Sequence, residues 1–207
     1  MLFRSKKATR FATIEVMKIK ETKEGLIDSG SLIGMPAFFI TLTDADEKGV
    51  QKGVDELLEA VKSSFKRYVV IKGGLSGQIE ELKVLLAGIE DLYCRTVIEC
   101  GGEEAPDLDA DLYSISITPR RVWPAENINA CVSAGRIVEL KVYIEDEIDL
   151  RETLIALSKH DLPRTAIYFL PAGEDLESYR GNAAFLAGEC LKYGFRLGER
   201  LKFTLEE

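Results

Sequence analysis

The chain has 207 residues, of which 46% are hydrophobic, and its 27 basic and 35 acidic side chains give a net charge of −8. This length and composition predict one soluble domain spanning residues 1–207. An acidic chain does not attract phosphate backbones, which argues against direct nucleic-acid binding. No apolar run is long enough to span a bilayer and no signal-peptide pattern is visible, so we expect a cytoplasmic protein without a membrane partner.

Strand-like and helical patterns alternate along the chain. Apolar runs and period-two alternation predict strands at 11–20, 36–43, 68–71, 96–98, 112–117, 137–144 and 165–170, and 195–204 is a further candidate. Helical spacing predicts helices at 47–66, 79–89 and 126–133, a helix opened by the capping pair Asp149 and Glu152, and a helix over 176–193. Ser76 is the expected N-cap of the second helix, and Gly194 follows the last one.

Repeated strand–helix units indicate a largely parallel sheet. Six such units are too few for a complete eight-unit barrel, which takes about 250 residues. The predicted fold is therefore α/β, an incomplete (β/α)6-type barrel with a mostly parallel sheet, and a doubly wound sheet is the alternative. In both architectures ligands bind at the carboxyl ends of the strands.

Several strand ends resemble one family in the family's own order. The matching segments are Gly34–Leu42 ("GxPxxFIRL" in the family), Val69–Gly74 ("VVITGGEP"), Val97–Gly102 ("IETNGT"), Ser114–Arg120 ("VSPK"), Leu140–Ile144 ("LKFVV") and Ile167–Pro171 with Phe195–Leu197 (the final strand and "RLS"). The chain thereby resembles the 7-carboxy-7-deazaguanine synthases (QueE), radical S-adenosylmethionine (SAM) enzymes of queuosine and archaeosine synthesis. The resemblance covers roughly residues 12 to 205 and implies a radical-SAM-like fold.

The family's chemistry requires a [4Fe-4S] cluster held by three thiolates of a C-x3-C-x2-C run, with SAM on the fourth iron. Here the strand ending at Leu42 runs into Thr43-Asp-Ala-Asp-Glu-Lys-Gly-Val50, and no cysteine occurs before Cys94. Leu75 stands where the family's "GGEP" turn has its acidic residue, and a leucine cannot accept a hydrogen bond from the SAM ammonium. We therefore expect neither SAM nor a cluster as cofactor, and no radical SAM activity.

Four later cysteines, Cys94, Cys100, Cys131 and Cys190, do not suggest a replacement cluster. Cys94 and Cys100 bracket one predicted strand and so lie about 20 Å apart at about 3.3 Å per residue. The other two fall within helical patterns. The acidic group formed by Glu103, Glu104, Asp107, Asp109 and Asp111 matches no metal-binding loop, and the only histidine, His160, is explained by a helix C-terminus. No metal site is expected.

The candidate ligand-binding residues lie at strand ends. Gly73 and Gly74 can adopt backbone angles closed to other residues, and their N–H groups, with Ser76 at the following helix start, favour an anion. Arg120, beside Arg121, is suited to clamp a carboxylate or phosphate. Glu99 ends a strand, and the resemblance places Thr118 and Arg120 at the family's "SPK" segment. The structural alternatives are an inherited glycine turn and salt-bridged arginines.

These observations lead to a cluster-less, pseudoenzyme-like relative that binds a small anionic ligand or a protein partner. The alternative is an enzyme with other chemistry in the same cleft, including a step of 7-deazaguanine biosynthesis. The catalytic residues, the ligand and the oligomeric state, including a homodimer, stay open.

Overall fold

Apolar and β-branched runs form the centre of a nine-stranded sheet in the computed structural model, which describes residues 16–43, 47–102, 107–120, 123–159 and 166–205. The strands are β1 (Val16–Leu26), β2 (Pro36–Leu42), β3 (Val50–Gly53), β4 (Tyr68–Lys72), β5 (Arg95–Cys100), β6 (Leu112–Ile117), β7 (Val138–Ile144), β8 (Ile167–Pro171) and β9 (Arg196–Leu197). The helices are α1 (Val54–Ser64), α2 (Ile79–Asp91), α3 (Ala125–Ser133), α4 (Glu147–Leu157), α5 (Leu176–Tyr193) and α6 (Leu201–Leu205).

The strand order is β3-β1-β2-β4-β5-β6-β7-β8-β9. Every pair from β2 to β9 is parallel, whereas β1 is antiparallel to both β2 and β3. This confirms the predicted α/β class with a mostly parallel sheet. From β2 onward the order never reverses, and a doubly wound sheet requires a reversal. Since β3 and β9 remain edges, the described sheet is open rather than closed into a barrel.

Helices α1 to α5 pack on one face of this sheet. Right-handed crossovers in a sheet wound in one direction place successive helices on the same side. The main core contains Leu57 and Val61 of α1 and Leu82 and Leu85 of α2, packed with strand residues such as Ile71. Among the described residues, no helix combines the length and apolar character needed to cross a bilayer.

Two helix ends follow the sequence rules. Asp175 and Ser178 form a capping box at the start of α5, which satisfies N–H groups that have no partner within the helix. Gly194 adopts the left-handed conformation (φ 73°) that ends α5, as its position predicts.

Four local predictions were wrong. The helix predicted from residue 47 begins only at Val54, because 50–53 form β3 and pair with β1 at the sheet edge. Ser76 starts a one-turn 3₁₀ segment rather than capping α2. The N-cap of α4 is Asp146, which accepts hydrogen bonds from two backbone N–H groups, so Asp149 lies inside the helix instead of opening it. The run 195–204 contains only the two-residue strand β9 before α6.

Candidate functional site

The sheet has a second face, opposite the helices, and strand register defines its residues. Side chains alternate between faces along a strand, so Phe39 and Thr41 point away from the helix-facing core that contains Ile40. Thr41 lies beside Lys72 and Lys72 beside Glu99 on successive strands. We call this side the second face throughout.

The second face is apolar towards the amino ends of its strands. Its buried floor contains Ile27, Ala37, Phe39, Val70, Val97 and Leu112, with Leu32 packed against them. Ile27 and Leu32 come from the connection between β1 and β2, residues 27–35, which therefore covers this end of the sheet.

Glu139 of β7 lies above this floor and is 4% exposed. Its Oε1 accepts a hydrogen bond from Ser114 Oγ at 2.7 Å, and its Oε2 accepts one from the backbone N–H of Ser31 at 2.8 Å. Both oxygens of this buried carboxylate thus have donors. Gly30 has a φ of +89°, and a Cβ there would lie 2.4 Å from Glu139 Oε1. Only glycine lets the connection approach the carboxylate this closely.

Two residues along β7, Lys141 forms an ion pair with Glu99 of β5. Lys141 Nζ donates to Glu99 Oε1 at 2.9 Å, and the two side chains are 3% and 22% exposed. Burial alone would lower the pKa of Lys141 because it disfavours the charged amine, but Glu99, with Tyr143 and Glu139, outweighs burial and the pKa lies above its ordinary value. Lys141 is therefore an ammonium at neutral pH. It is suited to hold an anion and unsuited to act as an amine nucleophile.

Lys72 and Thr41 extend this polar layer across β4 and β2. The Lys72 ammonium lies 5.4 Å from the centroid of the Phe39 ring and forms no ion pair with any described residue. Thr41 Oγ1 is buried and has no hydrogen-bond partner within the described ranges. The layer formed by Thr41, Lys72, Glu99 and Lys141 therefore presents polar groups with remaining hydrogen-bonding capacity near the carboxyl ends of the strands.

The glycine turn lies beside this layer and has a structural explanation of its own. Gly73 has a φ of +78°, and a Cβ there would lie 2.6 Å from the carbonyl oxygen of Leu42, so glycine permits the close approach of β4 to β2. Leu75 is 2% exposed and belongs to the helix-facing core. It therefore points away from the second face. A ligand-binding role for Gly73, Gly74 and Ser76 stays a prediction.

Arg120 is engaged by the start of α4. Its Nε donates to Asp149 Oδ1 at 2.8 Å, and its Nη2 forms an ion pair with Asp146. The hydrogen bonds that Arg120 donates to Asp149 and then to Asp146 are the main causes that raise its pKa. The contacts of Arg120 thus match the alternative of a salt-bridged arginine. Thr118, two residues earlier, is exposed. Ligand binding by Arg120 and Thr118 stays a prediction, and Arg121 lies outside the described residues.

Two members of the acidic group, Asp107 and Asp111, are held by pairing. Asp111 accepts hydrogen bonds from the backbone N–H and hydroxyl of Thr96 and pairs with Arg95, while Asp107 pairs with Arg136. These side chains line a groove of about 560 Å³ at the amino ends of the strands. Because its charges neutralise one another, this groove offers little for recognising a ligand. Glu103, Glu104 and His160 lie outside the described residues.

The cysteine thiols that could hold an iron–sulfur cluster do not converge in the described structure. Cys94 precedes β5 and Cys100 ends it, while Cys131 in α3 and Cys190 in α5 are buried. No group of three or more potential metal ligands occurs among the described residues. The segment after β2, where the family has its cysteines, leads into β3. The residues present therefore do not fit a three-thiolate cluster, and buried Leu75 does not fit the SAM ammonium.

The sequence analysis named Glu99 as a candidate ligand-binding residue but did not name Lys72, Thr41, Glu139 or Lys141, and a binding role for Glu99 stays a prediction. A signal existed in β7, where Glu139 and Lys141 alternate with Val138, Leu140 and Val142. Strands of a parallel sheet are normally apolar on both faces, so two charges on one face of a central strand are unusual. That alternation identifies a polar face within the sheet.

Comparison with solved structures finds the same architecture in the crystal structure of QueE from Escherichia coli. The two chains superpose with a TM-score of 0.66 over 88% of this chain and 93% of QueE, at 18% sequence identity. No family model and no curated protein matches the sequence. At this identity the similarity concerns the fold alone, so the chain has a QueE-like fold.

Proposed function

We propose that this chain keeps the QueE-like fold without radical SAM chemistry and binds a small anionic ligand on its second face. Two observations support the absence of radical SAM chemistry: no cysteine occurs before Cys94, and Leu75 is buried in the core. A fold does not carry a function once its site residues differ. No resident cofactor is part of this proposal.

The observation that supports anion binding is the buried ammonium of Lys141. A buried cation is costly unless its charge and its N–H groups are satisfied. Glu99 neutralises the charge, and Lys72 adds a second cation one strand further along the sheet. Two ammonium groups in a chain of net charge −8 provide a local site for an anion.

Thermal unfolding in the presence of small carboxylates and phosphate tests this site. We expect at least one of these anions to raise the unfolding temperature of the wild-type chain, because a ligand that binds only the folded state stabilises it. Lys141→Met and Lys72→Gln should weaken binding by about 10- to 100-fold, since a charged hydrogen bond contributes about 1.5–3 kcal/mol.

Lys83→Gln is the matched control, because Lys83 lies on α2 and pairs with Glu80 at the surface. It should bind the anion as the wild type does. If no anion stabilises the chain, or if Lys141→Met binds as tightly as the control, the proposed site is wrong.

A second candidate function is catalysis in the same cleft, including a step of 7-deazaguanine synthesis. The Glu99–Lys141 pair favours it, because a carboxylate beside an ammonium is a common arrangement for proton transfer. Mass spectrometry of a bound ligand after prolonged incubation separates the two functions. A binding or partner role predicts an unchanged ligand, whereas catalysis predicts a product whose formation is lost in Glu99→Gln.

A further inference from the structure

Hydrogen-bonding capacity remains unused around Lys141 and Glu99, in contrast to the neighbouring Glu139 carboxylate. An ammonium has three N–H donors, and Lys141 directs one of them to Glu99 Oε1. The other two have no acceptor among the described residues. Oε2 of Glu99 likewise has no donor within these ranges, whereas both oxygens of Glu139 have one.

The unused groups have opposite hydrogen-bonding character and lie close together. Lys141 and Lys72 offer N–H donors, and Glu99 offers a negatively charged acceptor between them in strand order. Neighbouring strands are about 4.8 Å apart, so the distance from Glu99 across Lys72 to Thr41 is about 10 Å. Lys141 comes from β7, two strands from Glu99 on the other side, but its Nζ lies 2.9 Å from Glu99 Oε1. A small molecule beside Glu99 is therefore within reach of both ammonium groups.

A bare anion complements only part of this layer. Its oxygens would be attracted by Lys141 but repelled by the Glu99 carboxylate, which favours a partner that brings a donor of its own. A site built to accept a hydrogen bond rejects an analogue without the donor strongly, because the acceptor is then left unpaired.

We propose, on the basis of the proposed function, that the ligand carries an anionic oxygen group directly beside an N–H or O–H donor, as amino acids and hydroxy acids do. The anionic group accepts hydrogen bonds from Lys141 and Lys72. The neighbouring donor binds the second carboxylate oxygen of Glu99. Glu99 thereby selects the ligand, and Lys141 anchors it.

Three probes of similar size test this assignment by calorimetry or thermal unfolding. Propionate carries the anion alone, lactate adds an O–H donor and L-alanine adds an N–H donor. We expect lactate or L-alanine to bind the wild-type chain at least about tenfold more tightly than propionate, as expected for one satisfied hydrogen bond to a charged group. This comparison needs no variant.

Glu99→Gln adds a second test. Its amide oxygen can still accept from Lys141, which leaves the NH₂ group facing the ligand, a donor where an acceptor is required. The preference over propionate should fall by about tenfold or more, while Glu99→Asp should retain part of it and serves as the control for folding.

The outcomes separate this inference from the proposed function. If propionate binds as tightly as L-alanine and lactate, the anion site stands and the donor requirement is wrong. If none of the three probes binds but phosphate does, the anion site stands and this inference is wrong. If phosphate does not bind either, the proposed site itself fails, and this inference fails with it. If Glu99→Gln keeps the wild-type preference, Glu99 does not select the ligand.

Discussion

The contact between Gly30 and Glu139 gives a quantitative test of the second face. Gly30→Ala places a Cβ at 2.4 Å from Glu139 Oε1 and forces alanine to adopt a φ of +89°. The left-handed conformation alone costs about 1–2 kcal/mol. Moving the carboxylate away breaks one of its two hydrogen bonds, and a buried bond to a charged group contributes about 1.5–3 kcal/mol. The total is about 2.5–5 kcal/mol.

Gly34→Ala is the matched control for this substitution. Gly34 lies in the same connection with a φ of +79°, but a Cβ there would meet no atom within 4 Å. It should cost only the conformational part, about 1–2 kcal/mol. Thermal unfolding measures the difference: at about 2.1 cal/mol/K per residue the unfolding entropy is about 0.43 kcal/mol/K, so Gly30→Ala should unfold about 3–7 °C below Gly34→Ala.

We also expect coupling between Gly30 and Glu139. In a Glu139→Ala background the carboxylate is absent, so Gly30→Ala should cost no more than Gly34→Ala does. Equal unfolding temperatures for the two glycine variants in the wild-type background would refute the contact. So would an undiminished cost of Gly30→Ala in the Glu139→Ala background.

Three further predictions concern pH, the core and the cleft. Burial raises the pKa of Tyr113 from its usual 10 to about 12, so the folded chain retains a proton that the unfolded chain loses, and stability should fall as pH rises from about 10 to 12. Urea unfolding across this range should show a smaller fall in Tyr113→Phe, and an equal fall would contradict the assignment. Leu75→Glu, which restores the acidic residue of the family's turn, should prevent folding because it places a carboxylate in the core. The control Leu75→Met should lower the free energy of unfolding by less than about 1.5 kcal/mol. A folded Leu75→Glu chain that binds SAM would reverse our interpretation. Arg120→Gln should lower the unfolding temperature because its contacts with α4 are lost, and it should change anion affinity by less than about twofold. A larger loss of affinity would instead support the predicted role of Arg120 in binding a carboxylate or phosphate.

The parts of the fold that sequence reasoning predicted are those in which local pattern and tertiary packing agree. Tyr68–Lys72 and Leu176–Tyr193 have clear periodicity and unambiguous ends, and the structure has both. Val50 also fits the helical period of the following residues, but pairing of 50–53 with β1 determines its conformation instead. No local sequence pattern indicates this pairing at the sheet edge.

The site was predicted less completely because its residues are brought together by register. Glu99 was identifiable as a strand end, yet its partner Lys141 lies 42 residues later on β7, two strands away. Arg120 was proposed as a ligand residue from its strand-end position, its residue type and the resemblance, but its contacts with α4 depend on where that helix begins. Long-range charge pairing of this kind follows from strand order, which the sequence patterns did not specify.

Anaerobic reconstitution with iron and sulfide tests the central claim most directly. Iron and acid-labile sulfide are quantified after gel filtration, SAM is added under reducing conditions, and 5′-deoxyadenosine is measured, with QueE from Escherichia coli treated identically as the positive control. The account predicts no stoichiometric iron and no SAM cleavage for this chain, because no cysteine occurs where the family holds its cluster. A cluster of about four irons per chain that cleaves SAM, as expected of a [4Fe-4S] enzyme, would contradict it.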